Sequence, residues 1–142
     1  MALTYMHGDP LLTTAQTLAF GFNARGRVEV NERETLLYDR FPTAFATYRK
    51  QCNSGRIKPG MMWLWSESQP KLLFMVVRET QVGITRLRFV EQAIMTLARD
   101  YPLYGISDLA LMSLGSPLEW QTLRPVIDYW LGMSNLPVTV YE

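Results

Sequence analysis

Lys71-Leu-Leu-Phe-Met-Val-Val77 is the strongest strand signal in the chain, with an apolar residue at every position after Lys71. A short, uninterrupted apolar run predicts a strand whose two faces are both covered. After a polar connection, apolar residues recur on one stripe at helical spacing, at Leu87, Val90, Ile94, Leu97 and Ala98. The stripe predicts a helix that packs on the sheet. A buried strand followed by such a helix is typical of an α/β fold.

Further signals extend this pattern in both directions. Short apolar runs bounded by turn residues predict strands at residues 3–7, 17–22, 61–65, 106–114 and 138–141. Apolar spacing predicts helices over residues 31–52, 85–101 and 120–131. The resulting order, β-β-α-β-β-α-β-α-β, predicts a single domain over residues 1–142 with a mixed sheet between two helical layers.

Several polar and proline residues define the expected helix ends. Asn31, followed three residues later by Glu34, resembles an N-cap with its reciprocal acid. Pro42 predicts a break inside this first helix because proline cannot donate a backbone hydrogen bond. Thr85 is expected to cap the next helix, which should continue to Tyr101.

The composition excludes several classes of protein. Hydrophobic residues make up 48% of the 142 residues and charged residues 19%, a balance typical of a folded globular chain. The net charge of +1 gives no overall field for nucleic acid or an anionic membrane, so anion recognition must be local. A single cysteine excludes an intramolecular disulfide. Because the chain also has only one histidine, we do not expect a zinc cluster. Without a signal-like segment or a long apolar run, we expect a cytoplasmic protein with no membrane association.

Short landmarks follow one another along almost the whole chain. They are Gly8-Asp9 before Leu11-Leu12; Phe41-Pro42 followed by Tyr48, Gly55 and Pro59-Gly60; Gly83 with Arg86-Leu87; Leu114-Gly115, Leu118-Glu119-Trp120 and Arg124-Pro125; and Val140-Tyr141-Glu142. In this order and spacing they resemble macro domains, and among these the DarG-like branch. The resemblance implies a three-layer α/β/α sandwich with a mixed central sheet and a site for ADP-ribose.

The resemblance also implies a set of ligand-binding residues. The aspartate of the opening motif reads adenine in macro domains, and two glycine-rich loops surround the diphosphate and the distal ribose. The matching positions here are Asp9, Asn23, Arg25, Gly26, Arg27, Gly115 and Ser116. Two alternatives remain: Asp9 could form an Asx turn before Pro10, and the two arginines could be solvated surface charges.

This sequence departs from the macro-domain pattern in both loops. After Asn23 only Gly26 remains of the several glycines, and the second loop is reduced to Gly115-Ser116-Pro117. Glycine permits the backbone geometry that directs N–H groups at phosphate. Its loss removes charge-assisted hydrogen bonds that contribute about 1.5–3 kcal/mol each. Arg25 or Arg27 could restore part of this attraction through bidentate phosphate contacts.

The candidate catalytic residues are Asn23 and Arg78. DarG-like enzymes remove ADP-ribose from DNA with a lysine at a strand end, and Arg78 occupies that place here. An arginine stays protonated, with a pKa of about 12.5 or more, so it can stabilise negative charge but cannot act as a base. Asn23 could position a water molecule. Alternatively, Arg78 and Glu79 could be ordinary surface charges.

Three functions follow from the sequence. The first is a reader or regulator that binds an ADP-ribose-like nucleotide or an ADP-ribosyl adduct. The second is an ADP-ribosyl hydrolase that acts on ADP-ribosylated DNA or protein. The third is a ligand-free scaffold that contacts another protein through the former cleft. None of them requires a cofactor or a metal, and the oligomeric state stays open. His7 and the tryptophans are predicted to be structural.

Overall fold

The computed structural model describes residues 2–29 and 32–142. Its strands are β1 (Leu3–Met6), β2 (Thr17–Asn23), β3 (Met62–Trp65), β4 (Lys71–Arg78), β5 (Leu109–Met112) and β6 (Val138–Tyr141). Its α-helices are α1 (Glu32–Arg40), α2 (Pro42–Asn53), α3 (Leu87–Asp100) and α4 (Pro117–Gly132), and a 3₁₀ helix covers Pro10–Leu12. None of the helices in these described ranges has the length and apolar character needed to cross a bilayer.

The strands form one mixed sheet, as predicted, and the structure adds the strand order β1-β6-β5-β2-β4-β3. β3 is antiparallel to β4, while the other pairings are parallel. The carboxyl ends of β1, β6, β5, β2 and β4 therefore lie along one edge. From β2 the chain continues toward β3 and β4, whereas from β5 it continues toward β6. The connections thus diverge between β2 and β5, where open α/β sheets bind ligands.

Helices cover both faces of the sheet, which confirms the three-layer α/β/α sandwich. On one face α3 and α4 pack against alternate residues of the strands, such as Ala19 and Leu73. On the other face α1 and α2 pack against the strand residues that alternate with these, such as Phe20 and Phe74. Strand β4 is buried from Leu72 to Arg78, so the prediction that both of its faces are covered is confirmed.

The predicted break at Pro42 is confirmed, because α1 ends at Arg40 and α2 begins at Pro42. The predicted cap Asn31 lies outside the described residues. Its expected partner Glu34 is buried within α1, where its Oε1 lies 3.8 Å from Nη1 of Arg78. The Glu34 carboxylate therefore lies beside the predicted catalytic residue Arg78.

Two predictions about helix starts were wrong. Thr85 does not cap α3: Arg86 occupies the N-cap position without a side-chain hydrogen bond, while Thr85 Oγ1 accepts a hydrogen bond from Arg78 Nε. Leu87 is 46% exposed and so lies outside the buried stripe of α3. Helix α4 begins three residues before the predicted Trp120, because Ser116 and Glu119 form a capping box.

Candidate functional site

A cavity of about 810 Å³ lies beyond the carboxyl ends of β2 and β5. We call it the strand-end cavity. Its walls come from β2, α1, the ends of β4 and β5, the start of α4, the loops that follow β1, β2, β4 and β5, and the residue after β6. Its lining includes His7, Gly21, Glu29, Glu34, Arg78, Ser113, Gly115, Ser116, Glu119, Trp120 and Glu142. Both its volume and its place at the divergence of the connections are typical of small-molecule sites.

Arg78, at the end of β4, is the centre of a buried charge cluster on one wall. Its Nη1 donates to both carboxylate oxygens of Glu29 at 2.6 Å, and its Nε donates to Thr85 Oγ1 at 3.2 Å. Glu34 approaches the same Nη1 from α1. Arg78, Glu29 and Glu34 are each less than a tenth exposed. Removing one partner of such a buried pair typically costs about 3–5 kcal/mol, so the guanidinium is firmly held at the cavity.

Asn23, the last residue of β2, organises the loop that follows. Its Oδ1 accepts hydrogen bonds from the backbone N–H groups of Arg25 and Arg27 at 3.1 and 3.2 Å. Its Nδ2 donates to Arg27 O at 2.8 Å and to Glu29 Oε2 at 2.9 Å. Asn23 is fully buried, at 0% exposure, and does not line the strand-end cavity. In this arrangement its amide holds the loop and orients Glu29 toward Arg78.

The Glu119 carboxylate accepts hydrogen bonds from backbone N–H groups around the second loop, Gly115-Ser116-Pro117. Its Oε1 accepts from Ser116 N at 2.7 Å, and its Oε2 accepts from Thr85 N at 3.0 Å. Gly115 has φ +72°, and a Cβ at this position would lie 2.7 Å from Glu119 Oε1. The glycine therefore permits the carboxylate to approach the loop. A side-chain anion thus lies at the N-terminus of α4, where a phosphate would otherwise be attracted.

The opposite wall contains an ionised carboxylate fixed by an indole. Trp120 Nε1 donates to Glu142 Oε1 at 3.0 Å, and Arg124 Nε donates to the same oxygen at 3.0 Å. The hydrogen bond from Trp120 holds the pKa of Glu142 below its ordinary value, with a further contribution from Arg124. Glu142 is therefore ionised at neutral pH, with Arg124 as its ion-pair partner.

The predicted ligand residues Gly115 and Ser116 line the strand-end cavity, as does the predicted catalytic residue Arg78. Asp9 does not line it. Its Oδ1 accepts from Leu11 N at 2.9 Å and caps the 3₁₀ helix, which is the contact expected of an Asx turn. Asp9 is nevertheless exposed and follows the lining residue His7 by two positions.

Arg25 and Arg27 lie on the other side of the loop after β2. They line a second cavity of about 270 Å³, which we call the arginine cavity, together with Ala24, Arg49, Cys52 and Asn53. Gly26, which belongs to the same loop, is buried against α2. The structure therefore separates these three predicted ligand residues from Gly115 and Ser116.

Several lining residues were not predicted from the sequence. Ser116 and Glu119 form an S-x-x-E signature, so the capping box could have been recognised from spacing alone. The ion pair of Glu29 with Arg78 joins residues 49 positions apart and has no local signal. His7 and Trp120, predicted to be structural, both line the strand-end cavity. Among the described residues, no three histidine, cysteine or carboxylate side chains converge as a metal site requires.

Solved macrodomain structures superpose on this chain over nearly its whole length. The macrodomain of Thermus aquaticus DarG matches with a TM-score of 0.89 and 21% identity, over 99% of this chain and 97% of that one. The macrodomain of Mycobacterium tuberculosis DarG matches with a TM-score of 0.85 and 18% identity, over 98% of this chain and 96% of that one. Thermosipho africanus DarTG, in complex with ADP-ribose, matches with a TM-score of 0.88 and 20% identity, over 98% of this chain and 41% of that one.

The sequence matches no protein-family model and no curated protein significantly. The similarity to known proteins is therefore structural, and at these identities it concerns the fold alone. The fold implied by the sequence resemblance is confirmed: this chain has the macrodomain fold and is similar to DarG macrodomains over nearly its whole length.

Proposed function

We propose that this chain binds an ADP-ribose-like nucleotide or an ADP-ribosyl adduct in the strand-end cavity, as a reader or regulator. The supporting observation is that about 810 Å³ of space persists between β2 and β5 although both flanking loops have lost glycines. A ligand-free scaffold would not need to keep this space. The ADP-ribose complex of Thermosipho africanus DarTG, which has the same fold, adds support.

In this proposal the diphosphate lies against Gly115 and Ser116, near the N-terminus of α4. The guanidinium of Arg78 lies in the same cavity wall, beside Thr85, and is held there by Glu29. Asp9 reads the adenine from the rim. Asn23 acts indirectly, because its amide positions the loop that carries Glu29.

Calorimetric titration with ADP-ribose tests this function. Asp9→Asn keeps an oxygen that can accept from Leu11 N but removes the carboxylate charge, so it separates base recognition from helix capping. We expect Asp9→Asn to bind ADP-ribose roughly 10-fold more weakly than the wild type, which corresponds to the loss of one hydrogen bond to a charged group. Asp39→Asn, on the exposed side of α1, is the matched control and should bind like the wild type. No heat at millimolar ADP-ribose, or equal affinity in the Asp9 variant, would contradict the proposal.

Hydrolysis of an ADP-ribosyl bond is the second candidate, and the placement of Arg78 favours it. A desolvated guanidinium at the cavity wall can stabilise negative charge that develops on a leaving group. The assay incubates the protein with ADP-ribosylated DNA and, separately, ADP-ribosylated protein. Release of ADP-ribose that is slower in Arg78→Gln than in the wild type supports hydrolysis. If stoichiometric protein releases no ADP-ribose, hydrolysis is contradicted and the reader function remains.

A further inference from the structure

The arginine cavity lies outside the site described above. Arg25 and Arg27 reach it from the loop after β2, and Arg49 reaches it from the last turns of α2. All three side chains are exposed to solvent. The loop thus has two functional sides, because Glu29 faces the strand-end cavity while the arginines face α2.

Gly26 brings the three arginines together. It has φ +69°, and a Cβ built on it would lie 2.7 Å from the Cα of Arg49. Only a residue without a side chain allows the loop to approach α2 this closely. Asn23 fixes the flanking backbone through its bonds to the N–H groups of Arg25 and Arg27. The backbone that carries Arg25 and Arg27 is therefore held close to Arg49 on α2.

The positive charge of the arginine cavity has no ion-pair partner within the described part of the chain. Among the described residues, no carboxylate forms an ion pair with Arg25, Arg27 or Arg49. Residues 40–66 contain five basic residues and no aspartate or glutamate. Burial raises the pKa of the Cys52 thiol, so the cavity gains no thiolate at neutral pH. Three cations around one small cavity repel one another unless an anion lies between them.

We propose that the arginine cavity is a binding site for a phosphate group, separate from the strand-end cavity. The planar guanidinium forks of Arg25, Arg27 and Arg49 suit the oxygens of a phosphate monoester or diester. A cavity of about 270 Å³ accommodates one such group but not a dinucleotide alongside it. This site does not depend on the function proposed for the strand-end cavity.

Nitrogen-15 NMR titration with inorganic phosphate tests the site. Saturable shifts are expected at the amides of residues 25–27 and 49–53, without comparable shifts at Gly115 and Ser116. Arg49→Gln should weaken phosphate binding at least about 5-fold, the loss of roughly one charge-assisted contact. Arg56→Gln, an exposed arginine that does not line the cavity, should leave affinity unchanged. Shifts that do not saturate, or an equal loss in both variants, would overturn the proposal.

A second arm identifies the source of the phosphate. A short oligothymidylate that displaces inorganic phosphate and binds more tightly supports the site as a contact for a nucleic-acid backbone. An oligonucleotide that fails to displace it supports a site for a free phosphate or a phosphomonoester. ADP-ribose, followed at the Gly115 and Ser116 amides in the same spectra, reports on the strand-end cavity, so each proposal can fail alone.

Discussion

The Glu119 side chain places a carboxylate at the N-terminus of α4. Its two carboxylate oxygens accept from the backbone N–H groups of Ser116 and Thr85. The same donors, next to the positive end of the α4 dipole, would attract the phosphate of a bound nucleotide. A ligand that uses them must displace the carboxylate. We therefore expect Glu119 to stabilise the free protein and to weaken the binding of an anionic ligand at these donors.

Glu119→Gln should tighten ADP-ribose binding. The substitution removes the negative charge at the N-terminus of α4, where a charge contributes about 0.3–1 kcal/mol, equivalent to roughly 2- to 5-fold in affinity. Calorimetry measures the change, and Glu67→Gln, which removes an exposed charge from the turn after β3, is the control. Weaker binding in the Glu119 variant would show that the carboxylate aids the ligand.

Tyr48 joins α2 to the end of β2. Its buried hydroxyl donates to the carbonyl oxygen of Asn23 at 2.8 Å, and its ring stacks on Phe74 with centroids 4.4 Å apart. Burial raises the pKa of Tyr48 above its ordinary value. The phenol therefore ionises in the unfolded chain at a lower pH than in the folded protein.

Stability should consequently fall as the pH rises past about 10, the ordinary tyrosine value. Between pH 10 and 11 the wild type should lose about 1 kcal/mol more than Tyr48→Phe, which has no phenol to titrate. Urea unfolding at both pH values measures this difference. At neutral pH the variant should itself be less stable by about 0.5–1.5 kcal/mol, because the Asn23 carbonyl loses the phenol and keeps only the longer hydrogen bond from Gly26 N at 3.4 Å. Parallel pH profiles would contradict this account.

At the scale of elements, the loop after β2 depends on its contact with α2. Gly26→Ala places a methyl group against the Arg49 backbone in addition to forcing a left-handed conformation. Gly55→Ala, at φ +78° with open space around it, is the matched control for the backbone strain alone. We expect a loss of about 1–2 kcal/mol in the control and a clearly larger loss in Gly26→Ala, by urea unfolding. Equal losses would show that the loop contact is not required.

The sequence predicted the elements whose signals are local. The apolar run after Lys71 and the proline at residue 42 identified β4 and the break between α1 and α2, because burial and the missing N–H act on the chain itself. Thr85 was misread, since its hydroxyl serves Arg78 rather than a helix end. That choice depends on a tertiary neighbour and leaves no trace in local spacing.

The candidate site was only partly predictable for the same reason. Gly115 and Ser116 follow a strand in the sequence, so their place at the sheet edge could be inferred. The direction of Arg25 and Arg27 depends on the Asn23 amide and on the Gly26 contact with α2. The partner of Arg78 lies 49 residues away along the chain. Side-chain direction in a loop is therefore determined by packing that only the structure shows.

At the scale of the whole molecule, a net charge of +1 conceals two regions of opposite sign. Five glutamates and two arginines line the strand-end cavity, whereas three arginines line the arginine cavity. Salt screens both fields, since the Debye length falls from about 10 Å at 0.1 M to about 3 Å at 1 M.

The affinities of the two cavities should therefore respond differently to salt. Between about 0.1 M and 1 M sodium chloride, phosphate affinity at the arginine cavity should fall about 10-fold or more. ADP-ribose affinity at the strand-end cavity should stay constant or rise, because repulsion from the glutamates is screened. Titrations at the two salt concentrations measure both trends. A similar fall in affinity at both cavities would contradict the assignment of negative charge to the strand-end cavity and positive charge to the arginine cavity.

A crystal of the protein soaked with ADP-ribose would show whether the nucleotide occupies the strand-end cavity. We expect its density beyond the carboxyl ends of β2 and β5, with the diphosphate against Gly115 and Ser116 and the Glu119 carboxylate moved from the Ser116 N–H. Density confined to the arginine cavity, or an empty strand-end cavity at saturating ADP-ribose, would contradict it.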